Sequence, residues 1–278
     1  MTAIGKTKDI SDILDPARAA ALHATLDLAG PAPAHGDPLP PFWHYAYFWE
    51  SLPPAGLGRD GHPRTGDFIP DLGLPRRMWA GGNLAFIAPL LIGQAAQKKT
   101  KIVDVVRKDA RSGPLAIVTL RHEFSQDGRL CVTEDQSLIY RAEAAGGGEK
   151  PVPPVAPTDE AVKQSRRFSS TDLFRYSALT FNGHRIHYDR DYARAVEGYE
   201  GLIVHGPLLA QGLLNLGQSL LGNVKTFRFR ATAPLFDHEE VTFCAKPEAE
   251  GVSLWARGPD GRMCLTATAT ATATATVT

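Results

Sequence analysis

The chain has 278 residues, 43% of them hydrophobic and 22% charged, and thirty Lys and Arg balance thirty Asp and Glu. That neutral balance argues against nucleic acid as the main partner, which calls for a basic excess. There is no apolar run of the ~18 residues that a membrane span needs, and the N-terminus lacks the apolar core of a secretory signal. A cytoplasmic protein of one large or two ordinary domains is the expectation.

In chain order, the first strong signal is the apolar stretch GGNLAFIAPLLIGQ (residues 81–94), which reads as a buried helix. The alternating runs KIVDVVRK, LAIVTLRHEF and RLCVTEDQSLIY follow and read as strands. Residues 143–160, rich in Gly and Pro, read as a connector. The expected units are an N-terminal half over 1–142, a connector over 143–162 and a C-terminal half over 163–278. In the second half, Ser170 or Thr171 can cap a short helix, and Asp189 can cap another that ends near Gly198. GPLLAQGLLNLGQSLLGN is apolar on nearly every face, so a fully buried helix is expected from Gly206-Pro207 to Gly222. TFRFR, VTFCA, VSLWA and MCLTA then alternate as strands, with a Pro259 to Gly261 turn closing a hairpin. The Thr-Ala repeat at the end can finish the last strand and otherwise reads as a tail. Cys131, Cys244 and Cys264 lie in strand-like stretches without metal or disulfide spacing, so buried, reduced thiols are expected.

The halves echo each other. Residues 81–94 match 205–218 at an offset of 124, and DGRLCVT (127–133) matches DGRMCLT (260–266) at an offset of 133. Two matches in the same order argue for duplication. A buried helix followed by antiparallel strands, twice, predicts an α+β chain with two sheets, each wrapped on its own helix.

TFNGHRIHYD (residues 180–189) concentrates polar chemistry in a loop held between two short helices. His187 is the candidate acid–base residue, because imidazole exchanges a proton near neutral pH. The alternative is a histidine that only pins the loop. Val204-His205-Gly206-Pro207 starts the buried helix, where the Gly206 N–H can hold a developing oxyanion. Gly and Pro are also ordinary helix starters.

The two stretches together resemble the MaoC-like, R-specific enoyl-CoA hydratases. Their motif runs roughly S-x-D-x-N-P-[IL]-H-x-D, followed by His-Gly at a central helix. The resemblance implies a double hot-dog fold, two antiparallel sheets each wrapped around a central buried helix. It assigns catalysis to His187 and the oxyanion site to Gly206. The family's aspartate falls on Asn182, an amide that cannot act as a base, so Asn182 is expected to hold water or the substrate carbonyl. The family's Asn-Pro falls on His184-Arg185. FNGHRIHYD together with RRMWAGGNLAF in the first half resembles the branch of mesaconyl-C4-CoA and itaconyl-CoA hydratases and mitochondrial 3-hydroxyacyl-thioester dehydratases.

That branch implies a hydro-lyase working across the 2,3-double bond of a short acyl-CoA, with a C5 dicarboxylic chain as the leading substrate. Its alternatives are a fatty 3-hydroxyacyl-thioester dehydratase, a hot-dog thioesterase and an inactive acyl-thioester-binding module. Coenzyme A enters only as part of the substrate, no metal is implied, and a homodimer is one expectation for partners. His184, Arg185, Tyr188 and His205 are the candidate substrate-binding residues. Arg185 fits either an acyl carboxylate or a structural salt bridge. Arg76-Arg77, Lys98-Lys99 and Lys101 can meet the coenzyme A phosphates or simply be solvated. Stepping back 124 residues from Asn182, His187 and His205 lands on Gly58, Pro63 and Gly81. A single active site is therefore expected, with the first half supplying walls; Trp79 and Phe86 fit either a wall or, as the stronger expectation, core packing.

Overall fold

Strands at the two ends of the chain's sequence meet in one antiparallel sheet. The computed structural model describes residues 3–110, 113–142 and 152–271, so part of the expected connector lies outside the described residues. The first half contributes β1 (Thr7–Ile13), β2 (Arg76–Phe86), β3 (Ala95–Ala110), β4 (Gly113–Gln126) and β5 (Arg129–Arg141). The second contributes β6 (Val162–Arg167), β7 (Val224–Ala231), β8 (Glu240–Glu248), β9 (Gly251–Arg257) and β10 (Met263–Ala271). The strand order is β1-β3-β4-β5-β2-β7-β10-β9-β8-β6. Each half thus runs outward from a shared seam, where β2 pairs with β7 from Gly81↔Arg230 to Ala85↔Thr226. Helices α1 (Pro16–Thr25) and α2 (Ser170–Leu179) follow β1 and β6, and α3 (Arg190–Ala195) and α4 (Gly206–Leu221) precede β7. No helix among the described residues is long and apolar enough to cross a membrane.

The second sequence match holds. Both Asp-Gly-Arg triplets lie at hairpins, between β4 and β5 and between β9 and β10. At the first hairpin, Asp127 and Gly128 form a two-residue loop with positive φ (49° and 74°), the turn that suits twisted strands.

The first match does not mark a second helix. Residues 81–86 belong to β2, and the segment after it is irregular. The seam explains this. A Cβ on Gly81 would lie 2.6 Å from the Phe229 carbonyl oxygen, and one on Gly82 would lie 2.5 Å from the Phe229 ring. Bare backbone at this pair lets β2 close on β7, and Pro89 would in any case interrupt a helix. Among the described residues, α4 is therefore the one long buried helix of the double hot-dog. Strands β7 to β10 wrap it, with Phe243 against Gly212 and Leu254 against Gly217.

In the first half, an aromatic turn fills the place of a central helix. A 3₁₀ turn at Trp43–Ala46 buries Phe42 and Trp43. Phe42 stacks on Tyr45 (centroids 4.5 Å apart) and meets Phe227 and Phe229 edge-on. The concave face of β4 and β5 begins apolar, with Ala116, Val118, Leu120, Leu138 and Tyr140. It becomes polar at His122, Glu134 and Gln136, then apolar again at Phe124 and Val132. The polar band is where the main cavity cuts in.

Candidate active site

The loop after α2 is fixed at both ends by side-chain caps. Ser169, one residue earlier than expected, caps α2, and Asp172 bonds back to it. After the helix, Phe181 adopts φ 49° and stacks on Trp49 (5.2 Å), turning the chain toward α4. Asp189 caps α3 as expected, accepting the Tyr192 N–H at 3.0 Å. The first half braces the loop from outside: the Arg185 N–H donates to the Asp60 carbonyl at 2.9 Å. Gly61 and Gly183 cross so closely that a Cβ on Gly61 would fall 2.0 Å from the Gly183 oxygen. Only glycine fits there.

His187 is buried and lines the cavity. Its Nδ1 lies 2.7 Å from the Ile203 carbonyl oxygen. A carbonyl only accepts, so Nδ1 carries the proton and Nε2 keeps a free lone pair. Burial pushes the imidazole down to about 4, with the Ile203 bond opposing, so the ring is neutral at pH 7. The residue can accept a proton.

His205 stacks on His187 with centroids 3.6 Å apart and is 0% exposed. Its Nε2 lies 2.8 Å from Ser177 Oγ, and its Nδ1 has no partner among the described residues. The expected substrate contact is therefore corrected: His205 lies beneath His187 and does not line the cavity. It backs the ring that does.

Gly206 is the first residue of α4 and lines the cavity. Pro207 has no N–H, and those of Leu208 and Leu209 bond to the His205 carbonyl. Among the described residues the Gly206 N–H has no protein acceptor, and it lies at the positive end of a 16-residue helix. A Cβ on Gly206 would lie 2.6 Å from Trp79 Cε3, so the indole of the first half packs directly on this site.

Asn182 also lines the cavity. Its Oδ1 accepts the His184 N–H at 3.0 Å, leaving its amide NH2 as the group still able to donate. His184 is buried 5.5 Å, centroid to centroid, from His187, and burial above all drives it down to about 2. Tyr188 is 47% exposed, lines the cavity and donates to the Gly183 carbonyl.

Arg185 turns elsewhere. Its Nε and one terminal nitrogen bond Asp189 Oδ2 at 3.0 and 2.7 Å, and its guanidinium sits 4.1 Å over the Tyr192 ring. It does not line the cavity, which corrects the carboxylate-binding expectation in favour of the salt bridge. An i, i+4 pair next to a helix start satisfies the charge locally.

Asp60, His62, Glu134 and Gln136, at or beside the cavity, escaped sequence reasoning because they come from distant segments, whereas His184 and Lys98 were singled out. Asp60, His62 and His184 bring ligand-type atoms within 4.8 Å of one another, a grouping that could hold a cation. Arg77 stands nearby and disfavours positive charge on His62 and His184. Farther in lie His44, Tyr45, Lys98, Glu134 and Gln136. Burial would raise Glu134, but His44, His122 and the Tyr45 hydroxyl hold it down at about 2. The cavity that joins these groups to His187 measures about 980 Å³, at the large end for a small-molecule site.

Residues 42–237 match the family model described as hydroxyacyl-thioester dehydratase type 2. The mesaconyl-C4-CoA hydratase of Chloroflexus aurantiacus is 43% identical over 273 residues, covering 96% of each chain. Among solved structures, a MaoC-like dehydratase from Phytophthora capsici superposes with a TM-score of 0.68 at 16% identity, over 98% of this chain and 97% of that one. A Mycobacterium tuberculosis protein with a double hot-dog fold superposes with a TM-score of 0.61 at 14% identity, over 96% and 95%. These two likenesses show the fold; the sequence matches show the family. The chain belongs to the hydroxyacyl-thioester dehydratase type 2 family of MaoC-like double hot-dog hydro-lyases.

Proposed function

We propose that the protein adds water across, or removes it to form, the 2,3-double bond of a short C5 dicarboxylic acyl-CoA such as mesaconyl-C4-CoA. One observation carries the chemistry: a neutral His187 with a free Nε2 shares a cavity with the unpaired Gly206 N–H at the start of α4. The substrate class rests on the 43% identical hydratase.

In the hydration direction, the thioester carbonyl oxygen accepts the Gly206 N–H. The Asn182 amide donates to the attacking water. His187 Nε2 removes one proton from that water as its oxygen bonds to C3. The C2–C3 π pair moves toward the carbonyl, and the enolate oxygen gains charge facing the helix dipole. The imidazolium then gives its proton to C2, so both hydrogens and the oxygen of water end in the product. Burial that makes His187 hard to protonate also makes its imidazolium a ready donor. A reduced, cytoplasmic setting suits the three free, buried cysteines.

The same chemistry on a fatty 3-hydroxyacyl thioester is the second reading, favoured by the family description. The band of Lys98, Glu134 and Gln136 lining the cavity speaks against a long alkyl chain, which would desolvate charged groups without replacing their partners. Purified protein incubated with mesaconyl-C4-CoA, itaconyl-CoA and crotonyl-CoA separates the two. Loss of enoyl-thioester absorbance and gain of one water by mass, fastest on a dicarboxylic substrate, is expected. Preference for crotonyl-CoA would move the protein to the second reading.

A further inference from the structure

The arginines around the loop are mostly committed. Arg76 pairs with Glu197, Arg185 with Asp189, and Arg190 with Asp237. Arg77, Arg141 and Arg230 line the cavity without a side-chain hydrogen bond or ion pair among the described residues, and Arg141 Nε is buried. Arg77 is half-buried. Asp60 is within electrostatic reach but forms no ion pair with it.

Its position follows from the register of β2. Arg77 lies opposite Tyr140 and Trp79 opposite Leu138. Tyr140 and Leu138 are buried on the concave face of β5, so Arg77 and Trp79 share that face. A register shift between Trp79 and Gly81 then restarts the alternation, bringing Gly82 and Leu84 inward. An arginine on the concave face of a sheet carries five N–H donors into a partly dry space, and such a cation normally has an anionic partner. Among the described residues none is built in. Arg141 and Arg230 also line the cavity, but they fall on the opposite parity of β5 and β7.

Trp79 packs on Gly206, where the thioester oxygen is proposed to sit. Arg77 lies two residues before Trp79 on the same strand, about 6.5 Å away at the backbone by strand rise. That is comparable to the reach from a thioester carbonyl to the far carboxylate of a four-carbon acyl backbone. We infer that Arg77 binds the free carboxylate of a dicarboxylic acyl group and sets the preference for such substrates. The inference rests on the dicarboxylic reading above and adds to it the residue that reads the second charge. A guanidinium facing the cavity could instead meet a coenzyme A phosphate, which is the same anion chemistry from a different part of the substrate.

The test compares wild type with Arg77→Gln and Arg77→Lys on mesaconyl-C4-CoA and crotonyl-CoA. Succinyl-CoA and butyryl-CoA serve as saturated inhibitors that cannot be hydrated. In Arg77→Gln, the ratio of kcat/KM for mesaconyl-C4-CoA over crotonyl-CoA should fall by about 100-fold or more, the discrimination expected when a charged partner is lost. Inhibition by succinyl-CoA should weaken much more than inhibition by butyryl-CoA, and Arg77→Lys should recover part of both. An equal loss on all four thioesters would overturn the inference, pointing to coenzyme A phosphate if Tm is unchanged and to structural support if it drops. Retained preference in Arg77→Gln would overturn it as well. If wild type itself lacks the dicarboxylic preference, the function proposed above fails, and that result is separate from any effect of the variant.

Discussion

Gly206→Ala is the most incisive single change. The new methyl carbon would sit 2.6 Å from Trp79 Cε3 and 2.8 Å from Cζ3, closer than real contacts of this kind. The indole has little room to yield, because it stacks on Phe229 with centroids 4.5 Å apart and planes 16° apart. The start of α4 must therefore back away by several tenths of an ångström, taking its unpaired N–H out of line. Losing one such donor costs about 100- to 1000-fold in kcat. Overpacking costs about 1–3 kcal/mol of stability, partly offset by alanine's better helix propensity. Steady-state kinetics with thermal melts would show a large fall in kcat beside a modest fall in Tm. Pairing the change with Trp79→Phe should recover part of both, since the two crowded atoms belong to the ring that phenylalanine lacks. A Gly206→Ala enzyme within threefold of wild-type kcat would refute the oxyanion role.

Other consequences can be measured independently. Because His187 in the folded protein sits at about 4, below its ordinary 6.5, kcat/KM should be level through neutral pH and fall as the pH is lowered through about 4. The same group makes stability acid-sensitive: below about 6.5 the unfolded chain takes up a proton that the folded one refuses, at a cost of roughly 3 kcal/mol by the time the pH reaches 4. Urea melts from pH 7 to 4 should show a shallower loss for His187→Asn than for wild type. Arg185→Gln removes a partly exposed ion pair with Asp189, so it should cost about 0–1 kcal/mol and leave the dicarboxylic preference intact; loss of that preference would restore Arg185 to the substrate site. Asn182→Asp keeps the acceptor for the His184 N–H but places a negative charge near His187. Its pH–rate profile should have an acid limb shifted upward, and no shift would separate Asn182 from His187.

The second half was the legible part of the chain. Asp189, Gly206 and Gly222 mark helix ends by chemistry that acts over a few residues, and α4 is apolar on nearly every face. The first half misled because an apolar run of this length suits a buried helix and a buried strand alike. What decided residues 81–86 was the seam with β7, a contact between residues nearly 150 apart in sequence that two glycines make possible. Pro89 was the local sign against a helix. Within the site, His187, Asn182 and Gly206 line one cavity, to which one short loop and one helix start carry them. His205 looked like a ligand group on the strength of its neighbours, yet its ring is covered by His187. Arg185 is satisfied four residues away, a partnership already visible in its spacing to Asp189. His62 and Glu134 were out of reach for any motif, since only the folding of the first half brings them to the cavity, and Arg77 and Trp79, named from the sequence as a phosphate contact and a wall, reach it by that same folding.

The most direct test of the account is the rate of His187→Asn on mesaconyl-C4-CoA, measured beside its inhibition by succinyl-CoA. The amide can keep a hydrogen bond to the Ile203 carbonyl but cannot take a proton, so kcat should fall by about 100- to 10,000-fold while inhibition changes little. Turnover within a few-fold of wild type, with succinyl-CoA still bound, would contradict the assignment of acid–base catalysis to this loop.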